Sequence, residues 1–315
     1  MAAAAPTCYK CVNDVPFPLS RPAVHSCALI GHFAEPKIAE SATAVLAALA
    51  RRGLRVLVPL DEPGDFGAAV HAVPRTELAT QADFMIAVGG DGTLLQAARL
   101  VAGHDVPLLG INRGRLGFLT DVMPQDVASG VDAVLDGRCA RDRRRFLEAH
   151  LQRADGAGAR LLALNDIVLL RRESGRMLDF QTRVDNSYLN SHRGDGMVIA
   201  TATGSTAYAL SCGGPIVDPR LDVLVMVPIC PHTLSDRPIV VPGNADIEIQ
   251  SLDRGAGLAE VTCDGVRLGE LDPGDRLKVS AATESITLLH PPGYDYFRLL
   301  RSKLRWGRGE QHQEH

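Results

Sequence analysis

The residues Gly89-Gly90-Asp91-Gly92-Thr93 combine three glycines, a carboxylate and a hydroxyl within five positions. Glycine lets the backbone approach a phosphate closely, and a helix N-terminus offers amide donors to an anion. A carboxylate repels a bare phosphate, so Asp91 needs another task. It would hold a metal ion or take the proton of an attacking hydroxyl. The competing reading is a tight turn with a solvated aspartate.

A second stretch runs from Arg193-Gly194-Asp195-Gly196 through Thr203-Gly204-Ser205-Thr206-Ala207-Tyr208-Ala209-Leu210-Ser211. Small and hydroxylated residues lead into a helix-like segment. Thr203 to Thr206 are placed to cap that helix and to donate to ligand oxygens. Tyr208 would stack on a planar base or pack in the core. Asn165-Asp166 follows the apolar Leu161–Leu164 and adds a third polar pair at a strand edge. One shared polar ligand explains the three constellations better than three coincidences.

Other chemistries fit less well. There is no Gly-x-x-x-x-Gly-Lys-Ser/Thr loop and no His-Glu-x-x-His. The ten histidines show no ligand spacing. Gly110, Gly114 and Gly117 do not match the dinucleotide fingerprint Gly-x-Gly-x-x-Gly, which disfavours a dehydrogenase.

The elements that must position these residues change in character along the chain. Ala23–Ile30, Leu54–Pro59, Ala82–Val88 and Val106–Ile111 read as strands, and Pro36–Arg52, the segment after Asp91 and Pro124–Leu135 read as helices. That rhythm predicts a doubly wound, Rossmann-like parallel sheet over residues 24–140. The glycine loop then lies between a strand end and a helix start, where open α/β sheets bind ligands. From 141 to 290, short β-rich runs separated by turn signals predict a mostly antiparallel, β-sandwich-like domain. These runs include Phe146–Gln152, Leu161–Leu170, Asp179–Val184 and Ile286–His290. The basic run Arg141–Arg145 reads as a solvated linker. Residues 291–315 read as a C-terminal helix packing back on the first domain through Phe297, Leu300 and Leu304. Residues 1–23 read as a disordered extension.

With 315 residues, 46% hydrophobic and 22% charged, the chain has material for two cores. A net charge of −4 gives no electrostatic case for nucleic acid or an anionic membrane. No segment reaches about 18 uninterrupted apolar residues. Seven scattered cysteines suit reduced thiols, and with no signal-peptide pattern at the N-terminus the expectation is a cytoplasmic protein.

Taken together, the motifs resemble the bacterial NAD kinase family. The resemblance rests on Gly89–Thr93, Gly110-Ile111-Asn112-Arg113-Gly114-Arg115-Leu116-Gly117-Phe118-Leu119-Thr120, Asn165-Asp166, Asp195-Gly196 with Thr203–Ser211, Pro231–Val240 and the tail around Tyr294–Phe297 and Lys303–Gly307. It spans about residues 24 to 307. It implies phosphoryl transfer from ATP, with a divalent metal such as Mg²⁺, to the 2′-hydroxyl of the adenosine ribose of NAD. Asp91 would accept the proton. Gly89, Gly90, Gly92 and Thr93 would form the ATP phosphate loop, and Gly92 would also touch NAD. Asn165 and Asp166 would hold the ribose and the adenine side. Asp195, Thr203, Thr206, Ala207, Tyr208, Ala209, Leu210 and Ser211 would line the dinucleotide pocket. Arg176 and Arg193 would offset pyrophosphate charge or be plain surface arginines. A homodimer or homotetramer is implied. Gly-Gly-Asp-Gly-Thr alone is shared with lipid kinases of the diacylglycerol type, and a non-catalytic NADP(H) sensor would keep the same pocket.

Overall fold

The structure is a computed structural model describing residues 24–62, 64–114, 117–172, 177–252 and 259–306. The expected extension 1–23 and Arg176 lie outside the described residues. Two compact units result: residues up to 100 with 104–143 and those from 287 onward, and residues 101–103 with 144–286.

In the first unit, β1 (Ser26–Ile30), α1 (Pro36–Arg51), β2 (Arg55–Pro59), β3 (His71–Val73), α2 (Arg75–Gln81), β4 (Phe84–Val88), α3 (Asp91–Val101), β5 (Leu108–Ile111) and α4 (Val127–Leu135) follow one another. The strands are parallel in the order β5-β4-β1-β2-β3. Every residue of β1 and β4 is buried, as expected for a parallel sheet covered on both faces. Helix α1 turns Ile38, Ala42, Val45 and Leu49 inward at helical spacing. It begins with Pro36 in its first turn and stops before Gly53, whose φ is +70°. These side chains share a core with Leu29, Ile86, Val88 and Leu109. Burying each large aliphatic group stabilises the unit by about 1.5–3 kcal/mol relative to exposure. The strand order reverses between β1 and β4, so the crevice beyond the end of β4 is the topological switch point. Gly89 begins there.

The second unit contains most of β6 (Ala140–Gln152), then β7 (Gly158–Ala163), β8 (Asp166–Arg171), β9 (Leu178–Val184), β10 (Ser187–Gly194), β11 (Gly196–Thr201), α5 (Tyr208–Ser211), β12 (Val223–Ile229), β13 (Ile239–Pro242), β14 (Ile247–Ser251), β15 (Ala259–Cys263), β16 (Val266–Leu271) and the first part of β17 (Arg276–His290). One antiparallel sheet has the order β13-β12-β11-β8-β15-β16. A second antiparallel set, β10-β9-β14-β17, shares a core with it through Ile167, Ile199 and Val261 on one side and Phe180, Ile249 and Leu277 on the other. Alternate residues of the first sheet, Val168, Val198 and Val225, face a smaller core with Ala209 of α5. Central strands β8 and β11 are therefore buried on both faces.

Three sequence expectations change. The run Leu161–Leu170 is two strands, because the chain turns at Leu164-Asn165. Arg141–Arg145 is part of β6 rather than a linker, and Arg144 is only 4% exposed. In α6 (Tyr296–Leu304) of the first unit, Leu299 and Leu300 are buried, whereas Phe297 is exposed. The N-terminal cap of α6 is Asp295, which accepts the Phe297 and Arg298 amides. No described helix is long and apolar enough to cross a membrane.

Candidate active site

Asp91 is the first residue of α3, three residues beyond β4. The Gly90 carbonyl accepts the amides of Thr93 and Leu94, so Gly90 closes the first helical turn. The three glycines of this loop serve different ends. The Thr93 side chain rests on Gly89, where a Cβ would overlap it. Gly90 and Gly92 have open space where a Cβ would stand. Bare backbone at a helix N-terminus is what an anionic ligand requires.

The Asp91 carboxylate is fixed by the segment 117–120. Oδ2 accepts the Phe118 amide at 2.8 Å, and Oδ1 accepts the Leu119 amide at 3.0 Å and the Thr120 hydroxyl at 3.3 Å. Asn112 Nδ2 donates to Thr120 Oγ1 at 3.0 Å, and Asn112 Oδ1 accepts the Gly114 amide at 2.9 Å. Asn112 is 1% exposed, so this is a built support rather than a surface contact. The carboxylate cannot swing freely. Its remaining lone pairs are the ones available to a substrate hydroxyl.

In the second unit, the turn at Leu164-Asn165 is caught on two sides. Thr201 Oγ1 donates to the Leu164 carbonyl at 2.7 Å, and the Thr201 amide donates to the Asn165 carbonyl at 2.9 Å. On the other side, Asp264 accepts the amides of Leu164, Asn165 and Asp166 at 2.8, 2.8 and 3.1 Å. A Cβ at Gly204 would overlap the Asn165 carbonyl, so the Thr203–Thr206 turn packs directly on Asn165. Asn165-Asp166 and Thr203–Ser211 are therefore one constellation. Asp166 is 6% exposed. Burial first, and then the Asp264 charge, push its carboxyl up to about 7, against the opposing hydrogen bond from the Tyr208 amide.

The threonines do not cap α5 with their side chains. Thr203 Oγ1 instead accepts from Arg144 at 2.9 Å, and Thr206 Oγ1 donates to the Thr203 carbonyl at 3.4 Å. The intervening Ser205 is fully buried, bonded to Ala202 and Val217, and holds the turn. A buried cation next to the turn competes for Thr203 more strongly than a helix amide does. Tyr208 does not pack in the core: the residue is 41% exposed at the start of α5.

Residues 28–139 match the family model described as the ATP-NAD kinase N-terminal domain, and residues 164–290 match the ATP-NAD kinase C-terminal domain. The chain belongs to the ATP-NAD kinase family. It is 42% identical over 279 residues to the NAD kinase of Methylococcus capsulatus, covering 89% of this chain and 96% of that one. It is 44% identical over 284 residues to the NAD kinase of Halorhodospira halophila, covering 89% and 92%. Among solved structures it resembles an NAD kinase from Archaeoglobus fulgidus in complex with ATP, with a TM-score of 0.67, 28% identity and coverage of 89% and 98%. It shares its fold with yeast NADH kinase complexed with NADH, with a TM-score of 0.83, 24% identity and coverage of 93% and 90%.

Other expected site residues of this ATP-NAD kinase family chain stand apart from that constellation. Asp195 precedes β11, whereas Thr201 and Asp166 meet at the other end of the β11–β8 pair. At about 3.4 Å per residue, that separation is roughly 17 Å. Asp195 there pairs with Arg171 at 2.6 Å. Arg193 is exposed, 3.7 Å from Asp179. Sequence reasoning missed Asn112 and Thr120 as supports of Asp91, and Arg144, Thr201 and Asp264 as supports of the second-unit constellation. The stretch Asn112–Thr120 was visible as a motif. Nothing local marks Arg144 or Asp264, whose partners lie 59 and about 100 positions away.

Proposed function

We propose that the chain transfers the γ-phosphoryl group of ATP to the 2′-hydroxyl of the adenosine ribose of NAD, giving NADP and ADP. The observation that carries this is the Asp91 carboxylate, held by Phe118, Leu119 and Thr120 at the N-terminus of α3. Phosphoryl transfer has a loose transition state, so aim and charge matter more than base strength. A carboxylate with a fixed direction aims the hydroxyl and takes its proton as the new P–O bond forms. The β–γ bridge oxygen leaves with ADP. The amides beyond Gly90 and Gly92 receive phosphate oxygens. Asn165 and Asp166 hold ribose and adenine polar groups, with Tyr208 available to stack. Ala207, Ala209, Leu210 and Ser211 line the dinucleotide alongside Thr203 and Thr206.

Among the described residues, no three His, Cys, Asp or Glu side chains converge as a metal cage. A Mg²⁺ would be carried mainly by the nucleotide, since this ion is commonly held by one or two carboxylates plus phosphates. Asp91 is the hard oxygen donor of the loop. The ion would neutralise phosphate charge. The same reading includes a cytoplasmic location and a homodimer or homotetramer. The exposed Ile239 and Val240 on edge strand β13 support self-association, which sedimentation would measure.

The experiment is purified protein with NAD and either ATP or polyphosphate, reading NADP. NADP formed with ATP supports the proposal. No NADP with either donor, together with labelled phosphate appearing in diacylglycerol, overturns it. Tight NADP(H) binding without turnover would favour a sensor.

A further inference from the structure

The turn at Asn165 is clamped by a second carboxylate that occupies a constrained backbone position. Cys263 pairs with Val266 across the two-residue loop Asp264-Gly265, with φ of 45° and 77°. This is the Asp-Gly pattern of a tight hairpin turn. The Asp264 amide donates to the Asp166 carbonyl at 2.9 Å, while its side chain accepts three successive amides. Hairpin and turn are thus joined by four hydrogen bonds through one residue.

We propose that Asp264 is a positioning residue for Asn165 and Asp166: its carboxylate fixes the turn that presents them to a nucleotide. This rests on the reading of Asn165 and Asp166 as NAD-binding. Three donors need two acceptor oxygens: Oδ1 serves Asn165 and Asp166, and Oδ2 serves Leu164. An amide side chain would set an NH₂ group against one of these donors. Aspartate also tolerates the left-handed backbone that the hairpin demands.

An electrostatic consequence follows from burial. Asp166 is nearly enclosed, and the titratable groups facing it are Asp264 from the hairpin and Tyr208 and Cys212 from the α5 segment. With its carboxyl near 7, Asp166 carries a proton at pH 6 and is an all-acceptor carboxylate at pH 8. Ribose hydroxyls and an adenine amino group donate to the second form. NAD affinity therefore strengthens as pH rises through about 7.

The test is calorimetric titration of the full chain with NAD across pH 6–8.5, which needs no turnover. Asp264→Asn should weaken NAD binding at pH 8 roughly tenfold through the misplaced donors. It should also move the midpoint of the pH profile down by about one pH unit, the effect of removing a neighbouring charge. KM for NAD should rise by a larger factor than kcat falls. Asp166→Asn should flatten the profile, and adding Asp264→Asn to it should shift no midpoint. Asp264→Glu keeps the charge and disturbs the geometry, so affinity should fall while the midpoint stays. It carries the test if Asp264→Asn does not fold. Wild-type affinity and midpoint in Asp264→Asn, a shifted midpoint in Asp264→Glu, or an unchanged profile in Asp166→Asn would each overturn the proposal. Wild-type protein that does not bind NAD at any pH would instead overturn the reading beneath it.

Discussion

Asp91 Oδ1 lies against the backbone of Gly117 so closely that a Cβ at Gly117 would overlap it. The glycine is a condition for the carboxylate's position. Gly117→Ala should push the carboxylate or the 117–120 segment aside. Small misplacements of reacting groups cost on the order of 10²-fold in rate. The expected result is a kcat lower by about that factor with the unfolding temperature little changed, read by NADP formation and thermal melting. An alanine variant with wild-type kcat would detach Gly117 from the chemistry.

Asp91→Asn preserves shape but replaces one of the two oxygens that receive the Phe118 and Leu119 amides. It also removes the proposed proton acceptor. Loss of such a group costs about 10²–10⁴-fold. Steady-state kinetics should show kcat collapsing while KM for NAD moves little, the signature of an interaction made in the transition state. Retention of more than roughly a third of kcat is incompatible with Asp91 as acceptor.

His290, 3% exposed and stacked on Tyr294, lies between two carboxylates. Its Nδ1 is 2.8 Å from Asp121, and its Nε2 is 3.4 Å from Asp142. Burial works against the charged imidazolium, but the Asp121 hydrogen bond and the nearby Asp142 carboxylate prevail and hold it above its ordinary value. A raised value means that the folded state binds this proton more tightly. The stabilisation is complete below the unfolded value near 6.5 and is lost as pH rises through the folded one. Replacing one partner of a buried charged cluster costs about 3–5 kcal/mol. His290→Gln should therefore melt well below wild type at pH 6, with the gap narrowing toward alkaline pH. A gap independent of pH would rule out the charged histidine. Asp121 directly follows the segment that holds Asp91, so the cluster also anchors that support.

Arg144→Met keeps length and removes the donors. The Thr203 hydroxyl loses a charge-assisted bond, worth about 1.5–3 kcal/mol. Arg144 also helps hold the Asp218 carboxyl low, where the hydrogen bond to Arg220 is the larger cause. Melting temperature should fall and KM for NAD should rise with the loosened 203–206 turn. Unchanged KM at reduced stability would confine Arg144 to a structural role.

The local sequence made many of the elements and the composition of single loops legible. Residues 84–88 form a continuous apolar run because β4 is covered on both faces, and the glycines after it announce the strand-to-helix loop. Asp91 stood out because a carboxylate among closely spaced glycines at a strand-to-helix junction is an uncommon setting. Short strands such as β10 and β16 were not legible. Their sequences, Ser187–Gly194 and Val266–Leu271, are largely polar or exposed, so pairing with neighbours rather than pattern makes them strands.

Only the tertiary structure decided which polar residues act together. Asn165, the Thr201–Gly204 stretch and Asp264 are far apart in sequence, and antiparallel register brings them to one turn. The same register leaves Asp195 at the opposite strand end, although its Gly-Asp-Gly setting reads like that of Asp91. Arg144 looked like one of a solvated basic run until alternation along β6 buried it. Propensity and glycine placement act over a few residues, so sequence carries them openly. Hydrogen-bond partnership and burial are fixed by which strands pair, and that is settled by the whole core at once.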